Sequence, residues 1–410
     1  MRAAVSLPWR PAVSVALVAV TAGLGVAACG SGSGAGKPAG LNGTVVGGSA
    51  NSTYARENAE AGTSLTPARG SFLAGKTTIS VLGSTTPGNG DINPYAIWPV
   101  TQTIGTVKAG DVLVDNFNNA SNDQGTGTTI VDMHPNGQLS VFAQLPQTVS
   151  GCPGGVGLTT AMVQLKTGWV IVGSLPSTNG QIYTAGAGCL IELSPEGKLA
   201  GTISGAFLDG PWDAGISDNG TTAALFVANT LFGVAPGTTE MDSGDVTRLT
   251  LAESAAAPPR MTGETVVASG FPERPDASAF IKGPTGLALS ADGTLYVADN
   301  VGNSIVSIPD ALTRTTSDGT GAVLTRGGQL ASPLGLALAP GGDLLAANAT
   351  NGKIVEITED GKQTGEYYAD DDIGQEPPGN GDLFDVAVNQ AGTGVLFVDD
   401  GNNVLDLLHS

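Results

Sequence analysis

Short apolar runs separated by polar turns recur along the chain from about residue 70 onward. Two segments match without gaps at a spacing of 49 residues: GPTGLALSADGTLYVADNVGNSIVSI (283–308) and SPLGLALAPGGDLLAANATNGKIVEI (332–357). A degenerate copy, DLFDVAVNQAGTGVLFVDDGNNVLDLL, covers 382–408, and looser copies begin near residues 93, 154 and 210. In each copy a strand follows Pro or Gly, a turn follows, and a second strand ends in a polar residue; a third and a weaker fourth strand complete the unit.

A repeat of this length with four short strands is typical of one blade of a β-propeller. The sequence therefore predicts an all-β fold, a six-bladed β-propeller of four-stranded blades. The predicted blades lie at about 93–145, 154–204, 210–269, 283–326, 332–368 and 382–408.

The sixth copy lacks a fourth strand, because the sequence ends shortly after its third. An unpaired strand edge is unfavourable at that place. The β-rich segment TTISVL at 77–82 precedes the first blade and has no other assignment. We therefore expect 77–82 to pair with 403–408 and to close the circle of blades.

The composition agrees with an all-β fold and excludes one class of binding partner. Of 410 residues, 61 are Gly and only 13% are charged, while 41% are hydrophobic, which is enough for a large core. The net charge is −20, and no cluster of Lys and Arg interrupts it. A phosphate-binding surface needs such a cluster, so nucleic acid is excluded as an expected partner. We expect a monomer.

The first residues predict export. Two arginines precede an uncharged apolar run at 12–26, which is too short to span a membrane as an ordinary helix and has the length of a signal sequence. The run ends in Val-Ala-Ala-Cys at 26–29, which resembles the lipobox of bacterial lipoproteins. The resemblance implies removal of 1–28, lipidation of Cys29, and a protein held outside the cytoplasm in the bacterial cell envelope. The alternative is an ordinary secretory signal.

The rest of the chain divides into a Gly-, Ser- and Ala-rich tether at 29–70 and the propeller at 71–410. Apart from Cys29, the chain has two cysteines, Cys152 and Cys189. A lone pair in an exported protein predicts a disulfide. Two separate buried thiols are the alternative.

Candidate binding residues come from two positions of the repeat. The polar residue that ends each second strand gives a set at one mouth of the central channel: Asn116, Asn229, Asp299, Asn348 and Asp400. Where the first strand begins, the repeat favours a small residue, but blades three and six carry Asp213 and Asp385. Blades three and six face each other in a six-bladed circle. The seven residues are the predicted ligand-binding set.

Carboxylate and amide oxygens are the ligands that Ca²⁺ and Mg²⁺ prefer, so Asp213, Asp299 and Asp385 are candidate ligands of such an ion. The structural alternative assigns the polar residues to hydrogen bonds between blades, and the two first-strand aspartates to turns or caps. Trp98 and Trp212 lie in first strands and would either stack on a ligand or pack between blades.

The residues P-T-G-L-A-L, D-G, L-Y-V-A-D and N-S-I at 284–305 resemble the motif of NHL-repeat propellers, within the gluconolactonase-like superfamily. The resemblance implies a channel site, which gluconolactonase-like enzymes use to hold a divalent metal with Glu, Asn and Asp. Ala96 stands where the metal-binding Glu is expected, and the only histidines are His134 and His409. The expected function is therefore a module that binds a small molecule or a protein. The alternative is a divalent-metal-dependent hydrolase or lactonase in which a metal-bound water attacks the substrate.

Overall fold

A computed structural model describes residues 65–230, 239–276, 280–370 and 377–410. Their strands form six sheets, each built of strands that follow one another along the chain, except where the first strand joins the last sheet. The prediction of an all-β, six-bladed propeller is confirmed. The predicted signal segment, Cys29 and most of the predicted tether lie outside the described residues.

Each blade begins with an inner strand and proceeds outward. Blade one contains β2 (Ile92–Pro99), β3 (Val112–Asn118), β4 (Thr129–Met133) and β5 (Leu139–Gln144). Blade two contains β6 (Leu158–Gln164), β7 (Val170–Ser174), β8 (Cys189–Leu193) and β9 (Leu199–Ile203), with a short 3-10 helix at Ile182–Thr184. Blade three contains β10 (Pro211–Asp218), β11 (Thr222–Asn229), β12 (Met241–Ser254), β13 (Ala257–Asp276) and β14 (Phe280–Lys282).

In blades four to six the connection between the second and third strands is shorter than in blades one and two. Blade four contains β15 (Pro284–Leu289), β16 (Leu295–Asp299), β17 (Ser304–Ile308) and β18 (Ala322–Arg326). Blade five contains β19 (Pro333–Leu338), β20 (Leu344–Asn348), β21 (Lys353–Ile357) and β22 (Gln363–Tyr368). Blade six contains β23 (Leu383–Val388), β24 (Val395–Asp399) and β25 (Val404–His409), and β1 (Thr78–Ser84) is its outermost strand.

The predicted closure is confirmed. β1 pairs antiparallel with β25, from Thr78 opposite His409 to Ser84 opposite Val404, with one irregularity between Val81 and Gly83. β1 ends at Ser84, two residues after the predicted end at residue 82. Blade three departs from the four-stranded prediction, because β14 adds a fifth strand against the end of the long β12–β13 hairpin.

The core lies between neighbouring blades. One apolar cluster, for example, joins Ala298 and Ile305 of blade four to Leu344 and Val355 of blade five. Cys152, in the connection after β5, forms a disulfide with Cys189, the first residue of β8, and their Cα atoms are 5.4 Å apart. The predicted disulfide is thus present. Among the described residues, no helix is both long and apolar enough to cross a lipid bilayer.

Candidate functional site in the central channel

The six inner strands surround a cavity of about 320 Å³, which we call the channel cavity. Its walls come from every blade and include Ile97 and Trp98 of blade one, Thr160 of blade two and Leu336 of blade five. Residues early in each inner strand are buried, whereas residues near its end are half-buried. The cavity therefore opens on the face that carries the turns between first and second strands, which we call the turn face.

Aromatic side chains block the other end of the channel. Tyr95 stacks on Phe117 and on Phe384, with ring centroids 4.5 Å apart in each case. Trp212 meets Tyr95 edge-on at 5.5 Å, and Phe280 meets Phe117 at 5.4 Å. Tyr95, Trp212 and Phe384 belong to blades one, three and six, so their contacts cross the channel axis. All five rings are buried; we call this cluster the aromatic plug.

The plug changes the expected location of the site. The sequence placed the ligand at the mouth where the inner strands begin, and this is the end that the plug fills. Trp212 packs within the plug. Trp98 lines the channel cavity and is half-buried, so it remains able to contact a ligand.

Asp213 and Asp385 are brought together in the wall of the channel cavity. Asp213 accepts hydrogen bonds from the backbone N–H groups of Ala214 (2.7 Å) and Leu287 (2.7 Å). Asp385 accepts them from Val386 (2.8 Å) and Ile97 (2.9 Å). Each carboxyl group thus links its own blade to the next one.

At the corresponding places in blades four and five the chain has glycine, for a steric reason. A Cβ atom on Gly286 would lie 2.2 Å from the carbonyl oxygen of Leu334, and one on Gly335 would lie 2.8 Å from the Cα of Asp385. The blades approach too closely there for any side chain. Blades three and six leave room for a carboxyl group at this point, which makes Asp213 and Asp385 a distinct pair.

The electrostatics of this pair favour the state in which one of the two carboxyl groups keeps its proton. Burial raises the pKa of Asp213 well above its ordinary value, and the negative charge of Asp385 raises it further. Burial raises the pKa of Asp385 to about 7, although its hydrogen bonds from Ile97 and Val386 oppose the shift. The charge of one group opposes ionisation of the other, so the two groups titrate as a pair.

A third buried carboxyl group, Asp115, lies behind the wall of the channel and was not predicted from the sequence. It lies in β3, and its Oδ1 accepts a hydrogen bond from the N–H of Ala96 at 3.0 Å. Its pKa is well above normal, mainly through burial and also through the charge of Asp385. A signal was available: the residue before the end of the second strand is small or apolar in the other blades, as at Ala228, Ala298 and Ala347, and only blade one has Asp there.

The polar residues that end the second strands lie outside the walls of the channel cavity. The side-chain amide of Asn116 donates to the carbonyl of Thr85 (3.0 Å), that of Asn229 to Phe207 (3.1 Å) and that of Asn348 to Gln329 (2.8 Å). Asp299 accepts from the N–H of Gly302 at 2.8 Å. The three asparagine bonds reach the segments that connect one blade to the next, whereas the bond to Asp299 holds a turn within blade four. Asp299 does not line the channel cavity with Asp213 and Asp385.

The member of that set in blade six differs from the prediction by one residue. β24 ends at Asp399, which lies opposite Leu383 just as Asp299 lies opposite Pro284. Asp399 also accepts from the N–H of Asn402 at 2.9 Å, repeating the bond from Gly302 to Asp299. Asp400 is the next residue, and burial, together with the charges of Asp382 and Asp399, raises its pKa to about 8.

The residues of the channel do not fit the metal that the resemblance implies. Such a metal would need Glu, Asn and Asp donors, but the described walls of the channel cavity contain neither Glu nor Asn. Ala96 is buried beside the channel with its N–H bonded to Asp115. The oxygens of Asp213 and Asp385 already accept backbone hydrogen bonds. We therefore derive no catalytic step through a channel metal.

A different group of side chains has metal-binding chemistry. Asp111, Asp132 and His134 of blade one each offer a ligand atom, and these atoms lie within 4.8 Å of one another. The group is at the turn face, because Asp111 directly precedes β3 and His134 directly follows β4. From the sequence, His134 was identified only as one of the two histidines and was given no role.

Comparison with known proteins shows similarity in fold, to solved structures. No protein-family profile matches the chain, and no curated protein sequence matches it. A gluconolactonase from Xanthomonas campestris matches with a TM-score of 0.52 at 15% identity, covering 84% of this chain and 93% of that one. The fold resembles that of the gluconolactonases. A putative gluconolactonase (TM-score 0.50, 14% identity, 84% and 94% covered) and a luciferin-regenerating enzyme (0.51, 11%, 81% and 95%) are similar to it as well.

Proposed function

We propose that the protein is a hydrolase of small cyclic or simple esters, of the lactone class, and that it acts in the channel cavity. The observation that carries the proposal is the pair of buried carboxyl groups, Asp213 and Asp385, in the wall of a cavity that opens to solvent on one side only. Carboxyl groups with raised pKa values in a cavity are the usual mark of acid–base chemistry. Likeness in fold to gluconolactonases supports the substrate class.

The pair would work with one proton between its two members. The ionised carboxylate takes a proton from a water molecule, and that water attacks the ester carbonyl. The protonated partner gives its proton to the alcohol oxygen as the carbon–oxygen bond breaks. The proton balance is restored through water in the open cavity: the first carboxyl group releases the proton that it took, and its partner takes one up, so no other reactant is needed.

The cavity supports this substrate class by size and charge. Its volume of about 320 Å³ matches the lower end of small-ligand sites. A lactone is neutral and enters without electrostatic penalty. The hydroxy acid that forms is an anion, and the remaining negative charge of the pair favours its release.

A second candidate is the binding module expected from the sequence, with a small molecule as its ligand. It is favoured by the backbone hydrogen bonds that fix both carboxyl groups, because fixed acceptors also suit simple recognition of a polyol. In this case the channel cavity would bind the small molecule without hydrolysing it.

The test is an activity measurement on a panel of neutral lactones and esters, by proton release at pH 7. We expect Asp213→Asn and Asp385→Asn to lower kcat/KM by about 100-fold or more, the usual contribution of a general acid or base. The wild-type rate should rise as the pH passes about 7, where Asp385 ionises while Asp213 keeps its proton, and should fall again where Asp213 ionises. Asp242→Asn, at an exposed position of β12, is the matched control.

The outcomes separate the candidates. Saturable ligand binding without turnover, lost in the same two variants, would favour the binding module. Turnover that EDTA abolishes and Ca²⁺ or Mg²⁺ restores would favour the metal-dependent hydrolase instead. Turnover that is insensitive both to EDTA and to the two substitutions would contradict the assignment of the channel cavity.

A further inference from the structure

We propose that Asp111, Asp132 and His134 bind a divalent transition-metal ion, of the Zn²⁺ or Co²⁺ kind, at the turn face of blade one. The site is separate from Asp213 and Asp385 and does not depend on the proposed hydrolysis. Asp132 lies in β4, and Asp111 and His134 lie in the turns that precede β3 and follow β4. The three donors converge there, and Asp132 has a buried oxygen with no hydrogen-bond partner among the described residues.

The distances suit a small ion. Nδ1 of His134 lies 3.0 Å from Oδ1 of Asp111 and 3.9 Å from Oδ2 of Asp132. Ligand atoms bound at about 2.0–2.1 Å around tetrahedral zinc lie roughly 3.3 Å apart. The two observed distances fall on either side of that value, so a movement of a few tenths of an ångström at each side chain would complete the geometry.

Asp132 gives the independent observation. The residue is 3% exposed, and among the described residues its Oδ1 atom has no hydrogen-bond partner. A buried carboxylate oxygen without a donor is costly, because it has lost water and gained nothing in return. A cation bound by both oxygens of the Asp132 carboxylate would supply the interaction that Oδ1 lacks.

Asp111 is already held in position for this role. Its Oδ2 atom accepts a hydrogen bond from the N–H of Lys108 at 2.7 Å, and this bond leaves Oδ1 directed toward His134. Backbone bonds also fix His134, whose N–H donates to the carbonyl of Gln138 at 2.9 Å. Bonds of this kind orient the ligands at known metal sites.

The donor set selects the class of ion. An imidazole nitrogen with two carboxylates suits zinc and its neighbours in the transition series, whereas Ca²⁺ and Mg²⁺ prefer oxygen donors alone and in larger number. The side chain of His134 is 28% exposed, so water can occupy the remaining coordination positions. The charges agree: two carboxylates offset a divalent ion, although the Lys108 ammonium lies near enough to Asp132 to oppose the cation.

The test is metal binding by the full chain after removal of metal with a chelator. Zn²⁺ is titrated calorimetrically, and Co²⁺ is followed by its visible absorption, which reports nitrogen and oxygen ligation. We expect one ion per chain in wild type, a higher melting temperature with Zn²⁺, and at least a tenfold weaker affinity in His134→Gln and in Asp132→Asn. His409→Gln, at the only other histidine, is the matched control and should bind as wild type does.

Three results would overturn the proposal. The first is the absence of saturable Zn²⁺ or Co²⁺ binding by the folded wild type. The second is binding that survives in His134→Gln and Asp132→Asn. The third is binding that His409→Gln abolishes. Circular dichroism of each variant in the absence of metal shows that a lost affinity is not a lost fold.

Discussion

At the scale of single residues, buried carboxyl groups set how stability depends on pH. Asp406 of β25 is 5% exposed, and its Oδ1 atom has no hydrogen-bond partner among the described residues. Burial, and then the charges of Asp399 and Asp370, raise its pKa to about 7. An aspartate in an unfolded chain titrates near 3.9. Between these two values the folded protein holds the proton more tightly, so stability falls as the pH rises from about 4 to 7.

Replacing Asp406 by Asn removes this titration. We expect Asp406→Asn to be more stable than wild type at pH 8, by at most about 4 kcal/mol, since each unit of pKa shift corresponds to about 1.4 kcal/mol. At pH 4, where wild-type Asp406 is protonated in the fold, the gain should vanish. Urea unfolding at the two pH values measures the difference.

Asp292→Asn is the matched control, since Asp292 is exposed in a turn. It should lack the gain at pH 8. An equal gain at pH 4 and pH 8 in Asp406→Asn would show that the carboxyl group at 406 is not the cause.

Single residues also show which parts of the candidate site could be predicted from the sequence and which could not. Asp213 and Asp385 stood out because they break a repeat position that otherwise requires a small residue. The aromatic plug was not predicted, because Tyr95 meets Trp212 and Phe384 only after the blades are arranged in a circle. Repeat spacing shows which positions are equivalent, but not which end of the channel remains open.

At the scale of elements, the decisive feature is β1. It forms the outer edge of blade six, and Ser80 hydrogen-bonds His409 at 2.8 Å across 329 residues of chain. The segment just before it also contributes, because the N–H groups of Phe72 and Leu73 donate to the buried carboxylate of Glu356. Its role was predictable, since a blade with three strands needs a partner and one β-rich segment was unassigned. The added strand β14 was not, because three residues carry too little pattern.

Truncation separates these two contributions. A chain that begins at residue 65 keeps both β1 and the hydrogen bonds from Phe72 and Leu73 to Glu356. A chain that begins at residue 77 keeps β1 alone, and one that begins at residue 85 keeps neither. We expect the loss of β1 to lower the free energy of unfolding by about 5 kcal/mol, at about 1 kcal/mol for each lost hydrogen bond. Because blade six is part of the circle, the whole domain should unfold at the lower temperature in one transition, which calorimetry can measure.

The chain that begins at 77 is the matched control for the chain that begins at 85. If these two chains melt alike, the closure contributes little, and the blades are held by their neighbours alone.

At the scale of the whole molecule, we propose that the propeller is held at the outer side of a bacterial membrane by a lipid on Cys29. The support is the apolar run at 12–26 and the Val-Ala-Ala-Cys sequence that ends it. The bond between Cys152 and Cys189 suits an oxidising compartment. A net charge of −20 also suits a protein that stays clear of anionic headgroups except at its anchor.

Cys29→Ser tests this proposal. In a bacterial host with a lipoprotein pathway, we expect wild type in the membrane fraction with a mass increase from acyl chains, and the variant without it. Cys152→Ser, which leaves Cys29 in place, is the control and should stay in the membrane fraction. Acylation that persists in Cys29→Ser would contradict the assignment.

The pairing of β1 with β25 also dictates the order of events when the protein is made. Residues 78–84 leave the ribosome early and must wait for more than three hundred further residues before their partner exists. Contacts so distant along the chain form slowly, and until then both strands present free edges that invite aggregation. The closed circle of blades therefore cannot form until nearly all of the chain has been synthesised. A chain whose fold is still open is the form in which a protein can pass through a narrow translocation pore.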